Sequence, residues 1–201
     1  MLDTEFPDEK IIRYIAAQKR LTQEREEKGT QNDISQGYAY INEDRITFTR
    51  YALLGKDLST IVPVKFLPKG NLSDSSDTTI ILTNHDKSVC LSFESLRKPT
   101  NMPVEDFVRS ELAKMRTSLT NIENDSIIET EQAKISYIES SSPKVSEEES
   151  KDADNYQLSF LYVPKGSGKA ENVLIKGIFT CADFRVNNWK EILFQIMRSI
   201  S

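Results

Sequence analysis

The segment from residue 172 to residue 201 constrains the fold more than any other part of the chain. It begins with a β-rich run, VLIKGIFTC, and predicts a helix that starts near Asn187 or Asn188. Asn188 and Glu191 have the spacing of a capping box, with Asn in place of the usual Ser or Thr. Apolar residues then recur on one helix face: Trp189, Ile192, Leu193, Ile196, Met197 and Ile200. The segment therefore predicts a strand and a helix that share a hydrophobic core.

The length and charge of the chain favour one acidic, well-hydrated domain. Its 201 residues suffice for a substantial core, and 28% of them are charged. The net charge is −5 and the sequence pI is about 5.1, so no overall positive potential attracts nucleic acid or anionic lipid. We therefore predict no nucleic-acid partner.

The N-terminal sequence carries no targeting signal. MLDTEFPDEKIIRYIAAQKR lacks the charged, apolar and small-residue regions of a signal peptide. No apolar run approaches the roughly 20 residues that cross a bilayer, so we expect no membrane insertion. If Met1 is the native start, the expected location is the cytoplasm; a chain trimmed of its leader would look similar. Cys90 and Cys181 lie in apolar runs and are interpreted as small buried residues rather than a disulfide.

The pattern of elements predicts two parts. Residues 1–33 form an N-terminal helical extension with a helix over 8–28, and residues 34–201 form a single α+β domain. Alternating or apolar runs predict strands in YAYINEDRITFTRY, STIVPVKFLPKGN, TTIILTN, SVCLSFESL, SIIETEQAKISYIESS, YQLSFLYV and ENVLIKGIFTC. Pro63 is expected at a strand end or edge. A helix headed by Pro103 has the apolar stripe Val104, Phe107, Val108, Leu112, Met115 and Leu119. The prediction is an antiparallel sheet flanked by helices at 103–119 and 188–200.

The sequence contains no convincing catalytic or metal motif. His85 is the only histidine, and one histidine with two cysteines is too few for a structural zinc site. The run from Gly166 to Lys169 resembles a phosphate loop, but Val163 stands where the first glycine belongs and Ala170 where Ser or Thr belongs. We therefore predict no catalytic, cofactor-binding or metal-binding residue, and no cofactor.

One predicted strand has a face that allows two interpretations. Tyr156, Leu158, Phe160 and Tyr162 share that face because side chains alternate along a strand. Such a face is usually core, and this is the favoured interpretation. Left exposed, it would be an apolar binding surface.

Three segments together resemble the PsbP-like superfold, which includes the Ran-binding Mog proteins, DcrB-like bacterial proteins and Eag-type secretion chaperones. They are LSTIVPVKFLPKGN, the two strands that precede the Pro103-headed helix, and YQLSFLYV with VLIKGIFTCADFRVNNWKEILFQIMRSI. The resemblance covers about residues 40 to 201 and implies a PsbP-like sandwich. The N-terminal helix and the acidic insert near 147–154 depart from that common core.

The resemblance and the missing motifs favour a non-enzymatic function. We expect a module that binds another protein, either an adaptor or a secretion-type chaperone. The alternative is a hydrolase or transferase whose carboxylate site is assembled only by folding. A deep pocket with two or more buried carboxylates would favour the enzyme, and an open apolar groove on the sheet would favour the module.

The insert from Ser140 to Asn155 is predicted to be a mobile acidic loop. Five acids against Lys144 and Lys151 give it a charge of −3, and it has few apolar side chains. Such a segment buries too little surface to offset an ordering cost of roughly 1–2 kcal/mol per residue.

Replacing residues 144–153 with a short Gly/Ser linker should leave the melting temperature nearly unchanged, because loop-closure entropy varies slowly with length. Thermal unfolding of the two proteins measures this directly. A sharp drop in melting temperature would mean that the insert is a packed element.

Overall fold

The computed structural model describes residues 33–41, 44–53, 58–68, 78–143, 154–165, 173–182 and 186–201. The predicted helix over 8–28 and residues 144–153 of the acidic insert lie outside these ranges. Both ends of the predicted loop are strand instead: Ser140–Pro143 extend one strand, Asp154 and Asn155 begin the next, and Pro143 pairs with Asp154.

The described part of the chain contains ten strands, two α-helices and a 3-10 turn at Ile34–Gln36. The strands are β1 (Tyr38–Ile41), β2 (Asp44–Ala52), β3 (Ser59–Pro63), β4 (Leu67–Pro68), β5 (Thr79–Thr83), β6 (Val89–Arg97), β7 (Ile122–Glu129), β8 (Ala133–Pro143), β9 (Asp154–Pro164) and β10 (Val173–Ala182). The helices are α1 (Val104–Thr117) and α2 (Val186–Arg198). Neither helix is long and apolar enough to cross a membrane.

The strands form two antiparallel sheets. The small sheet has the order β1-β2-β3, and the large sheet has the order β4-β5-β6-β10-β9-β8-β7. Antiparallel neighbours are β1 and β2, β5 and β6, β7 and β8, and β9 and β10. Pro63 is the last residue of the edge strand β3, as expected. The predicted α+β fold with an antiparallel sheet and flanking helices is confirmed.

The main core joins one face of the large sheet, which we call the inner face, to α2 and the small sheet. Every apolar residue of the predicted α2 stripe is buried here. Phe179 of β10 meets the rings of Phe93 and Phe160 edge-on, with centroids 5.2 and 4.9 Å apart. The face formed by Tyr156, Leu158, Phe160 and Tyr162 is fully part of this core, so its interpretation as core is confirmed.

The opposite, outer face of the large sheet packs against α1. Met115 of α1 forms a second apolar cluster with Ile138 of β8 and Leu161 of β9. Leu96, Val108, Leu112 and Leu119 extend this cluster. The predicted stripe of α1 therefore serves a smaller core than that of α2.

The ends of α2 differ from the sequence prediction. The helix begins at Val186, so Asn188 lies inside the first turn and does not occupy the capping position. It ends at Arg198, because Ser201 leaves the helix and exchanges two backbone hydrogen bonds with Ser59 of β3 (2.8 and 3.0 Å). This pairing attaches the C-terminus to the small sheet.

The two cysteines lie on neighbouring strands without facing each other. Cys90 of β6 is opposite Thr180 of β10, which places Cys181 on the other face of the sheet. Neither forms a disulfide; Cys181 is buried as predicted, whereas Cys90 is only partly buried.

The inner face contains a site where only glycine fits. Gly177 of β10 pairs with Phe160 of β9, and a Cβ added at Gly177 would overlap the Phe160 ring. Because both residues are buried, the ring has no free space to enter.

We expect Gly177→Ala to lower the free energy of unfolding by about 1–3 kcal/mol through overpacking. Urea unfolding followed by the fluorescence of Trp189, the only tryptophan, measures the loss. Adding Phe160→Leu to the variant should recover part of that loss. Unchanged stability of Gly177→Ala would contradict the close contact.

Candidate interaction surface

A buried carboxylate lies on the inner face of the large sheet, close to the edge strand β7. Glu139 of β8 has a side chain only 5% exposed. It accepts hydrogen bonds from Asn124 Nδ2 (2.8 Å) and from the Tyr156 hydroxyl (3.0 Å). Lys190 Nζ of α2 lies 2.6 Å from its Oε2. We call these four residues the Glu139 network.

The network keeps Glu139 ionised. Burial by itself raises the pKa of this carboxyl, but hydrogen bonds from Lys190, Asn124 and Tyr156, with the positive charge of Lys190, outweigh burial and lower the pKa. Burial and the negative charge of Glu139 raise the pKa of Tyr156, so its hydroxyl stays a proton donor. The Lys190 ammonium also lies 5.3 Å from the centre of the Tyr156 ring.

The Glu139 network is a structural connection between four elements. Asn124 belongs to β7, Glu139 to β8, Tyr156 to β9 and Lys190 to α2. Nearby, Tyr137 of β8 packs edge-on against Phe194 of α2, with ring centroids 5.2 Å apart. Together these contacts hold the end of the large sheet against the terminal helix.

Strand β7 forms an exposed edge of the large sheet beside this network. Almost all of its side chains are exposed, including Ile122 (45%) and Ile127 (55%). Only β8 pairs with it among the described strands. We call residues 122–129 the β7 edge. Among the described strands, none pairs with the backbone groups of this strand that point away from β8.

Ion pairs fasten the β7 edge to the elements behind it. Arg116 of α1 binds the Asp125 carboxylate through its guanidinium, with Nε 2.9 Å from Oδ2. Lys134 and Lys165 lie 3.7 and 3.9 Å from the oxygens of Glu129. These groups are partly exposed, so each pair contributes little to stability.

Two other surfaces expose apolar or aromatic side chains. Val64 and Leu67 follow β3 and are 54% and 61% exposed. On β1, Tyr38 and Tyr40 have ring centroids 6.0 Å apart, and the Arg45 guanidinium lies 4.5 Å from the Tyr38 ring centre. Among the described residues, neither surface combines its exposed apolar side chains with a long unpaired strand edge.

Within the described part of the chain, the histidine and the cysteines considered from the sequence do not form a metal-binding group. His85 is exposed in the turn between β5 and β6. The segment that resembles a phosphate loop, residues 166–169, lies outside the described residues, and the next described element after it is the strand β10. Within the described ranges, no group of three His, Cys, Asp or Glu side chains is close enough to hold a metal ion.

Sequence reasoning did not single out Glu139 or the β7 edge. A signal for Glu139 is present in the alternation of its strand. Ile135, Tyr137 and Glu139 share the inner face by parity, so a carboxylate occupies a position that otherwise takes core residues. No comparable signal marks β7, because its position at an edge depends on the order of strands in the folded sheet.

Comparison of the whole structure with solved structures shows a PsbP-like fold. The Saccharomyces cerevisiae Ran-binding protein Mog1p superposes with a TM-score of 0.52 and 10% identity, over 78% of this chain and 95% of Mog1p. A Mog1 point mutant gives 0.51 and 11%, over 77% and 95%. The PsbP protein of the cyanobacterium Synechocystis gives 0.51 and 10%, over 77% and 91%. The resemblance in the sequence is confirmed at the level of fold.

Comparison of the sequence alone finds no matching family model and no significantly similar curated protein. At this identity the structural likeness establishes the fold and carries no functional residue.

We expect Glu139→Gln to lower the free energy of unfolding by about 1–3 kcal/mol near pH 7, because hydrogen bonds to a charged group are lost. The pKa of Glu139 in the folded protein lies below its usual value of 4.5. Its contribution is therefore fully present above that pH and is lost as the pH falls through the folded-state pKa. The stability difference between the two proteins should shrink accordingly.

Urea unfolding at pH 7 and at a series of acidic pH values measures that difference. Glu191→Gln is the matched control, because Glu191 is an exposed carboxylate on the same helix as Lys190. A difference that stays constant down to pH 3 would contradict a stabilising role for the ionised carboxylate.

Proposed function

We propose that this chain is a non-enzymatic protein-binding module that acts as an adaptor in the cytoplasm. The observation that carries the proposal is the β7 edge, an eight-residue strand that exposes two isoleucines and has no described strand on the side away from β8. Exposed strand edges are a common means of binding extended segments of other proteins. Mog1p, which shares the fold, is a Ran-binding protein, so this fold supports protein binding in at least one case.

The contacts that attach the β7 edge to the rest of the fold support a role in binding. The Glu139 network attaches β7 and β8 to α2, and Arg116 attaches β7 to α1. Such attachment reduces the conformational entropy that the edge loses when a partner binds.

The buried inner face favours an adaptor over a chaperone of the Eag type. In that family, the sheet is expected to present an apolar face to a client helix. Here the aromatic side chains of β9 are covered by α2 and the small sheet. Client binding to this face would require α2 to leave the core, at the cost of exposing residues such as Trp189 and Leu193.

The hydrolase or transferase alternative has no support in the described residues. It requires two buried carboxylates directed into one site. The two buried carboxylates of the described ranges, Glu111 and Glu139, belong to opposite sides of the large sheet.

Affinity purification of the tagged protein from its own cells, with mass spectrometry of co-purifying proteins, tests the proposal. We expect a reproducible partner whose yield falls at least tenfold with Ile127→Lys, because the lysine charges the β7 edge and removes its apolar side chain. Val64→Lys is the matched control, since Val64 is equally exposed but lies near β3. It should retain the partner.

Two outcomes would contradict the proposal. If no protein co-purifies with the native chain beyond the level of an unrelated tagged control, the chain is not a stable binding module. If Val64→Lys removes the partner and Ile127→Lys does not, binding occurs at another surface.

A further inference from the structure

We propose that the β7 edge binds an extended basic segment of a partner protein as an additional strand of the large sheet. The inference rests on the proposed protein-binding function and specifies the chemistry of the partner. It predicts lysine or arginine, an apolar residue, and again lysine or arginine at positions i, i+2 and i+4 of that segment.

The backbone geometry defines which groups of β7 are free. Thr130 N–H donates to the Ala133 carbonyl at the turn into β8 (2.9 Å), and Ser141 N–H donates to the Asn121 carbonyl at the other end (3.2 Å). Hydrogen-bonded pairs alternate along an antiparallel ladder. The backbone groups of Asp125, Ile127 and Glu129 therefore point away from β8, where a new strand would pair with them.

The two edges of the large sheet differ in how they are protected. At one edge, the described part of β4, Leu67–Pro68, includes a proline, which cannot donate a hydrogen bond. At the other edge, β7 has eight residues, with neither proline nor lysine among them. Proline, charged side chains and β-bulges are among the usual devices that prevent pairing at an edge. β4 has a proline, and β7 has acidic side chains and an irregular register between Ile122 and Asn124, but its pairing with β8 is regular from Asn124 to Glu129.

The charge of the β7 edge selects a basic partner. Residues 122–131 contain the acids Glu123, Asp125, Glu129 and Glu131 and no basic residue. The cations that pair with these acids are Arg116 of α1, Lys134 of β8 and Lys165, which follows β9. These elements lie on the β8 side of β7 or on the outer face of the sheet. A strand that pairs with β7 on the side away from β8 lies directly beside these carboxylates. Opposite charges at facing positions stabilise such a pair.

The predicted spacing follows from the side-chain alternation of β7. Three residues have backbone groups that point away from β8, and their side chains share the outer face of the sheet. They are Asp125, Ile127 and Glu129. A facing strand therefore places basic side chains opposite Asp125 and Glu129 and an apolar side chain opposite Ile127.

The same charges disfavour a second copy of this chain as the occupant. An antiparallel pair of β7 edges centred on Ile127 places Asp125 of one copy opposite Glu129 of the other, twice. Like charges that face each other across strands are destabilising. The edge is thus selective against its own copy.

A synthetic peptide tests the inference on the full-length protein. The probe is the fluorescently labelled, amidated peptide Lys-Thr-Ile-Thr-Lys-Thr-Ile, and the control peptide replaces both lysines with glutamate. By fluorescence anisotropy at low salt, we expect the lysine peptide to bind at least about tenfold more tightly. The preference should decrease as salt is raised. Bound lysine peptide should slow amide hydrogen exchange at Asp125, Ile127 and Glu129.

Protein variants locate the binding. Ile127→Pro removes an N–H that points away from β8, so the hydrogen bonds between β7 and β8 remain. This variant should abolish binding of the lysine peptide. If this variant does not fold, Ile127→Lys replaces it and should have the same effect. Glu129→Gln should weaken binding, whereas Glu105→Gln, the same change on exposed α1, should not.

The inference is overturned if the two peptides bind equally, if neither binds, or if exchange slows elsewhere. It is also overturned if the native chain forms a dimer in sedimentation experiments that Ile127→Lys dissociates, because the occupant is then a second copy. Loss of a cellular partner with Ile127→Lys, together with no binding of the lysine peptide, would leave the protein-binding function standing and reject only the basic strand. Absence of any cellular partner would instead reject the function.

Discussion

The packing of α2 against the inner face of the large sheet is the contact on which the other features of this structure depend. The apolar stripe of α2 contributes to the same core as the central strands and the small sheet. The tight fit of Gly177 against Phe160 shows how little free volume this core contains. Because Ser201 then pairs with Ser59, the terminal segment also connects the two sheets.

The Glu139 network extends this packing to the end of the sheet. A buried carboxylate is costly unless it is paired and hydrogen-bonded, and Lys190, Asn124 and Tyr156 meet both conditions. The network joins the terminal helix to the β7 edge of the large sheet. A structural feature of the core thereby determines how firmly the proposed binding surface is held.

Sequence reasoning succeeded where one element carries its own pattern. The stripes of α1 and α2 and the alternation of β9 are local periodicities, and each identified the correct buried face. It was less accurate at element ends. Asn188 has a capping spacing but lies within α2, and Ser140–Pro143 have a loop-like composition but pair with β9. Tertiary contacts at those positions outweigh local propensity, because pairing and packing stabilise more than a cap or a polar composition costs.

By itself, the sequence determined the class of fold, the residues of the core and the resemblance to PsbP-like proteins. These follow from periodicity, which is a property of each segment alone. Only the tertiary structure decided that β7 is an edge strand and that Glu139 meets Lys190. Strand order and contacts between distant residues arise from how the segments are arranged together. No single segment encodes them, since an edge strand and an interior strand can have the same alternation, and a carboxylate has no stable buried position until its partners are in place.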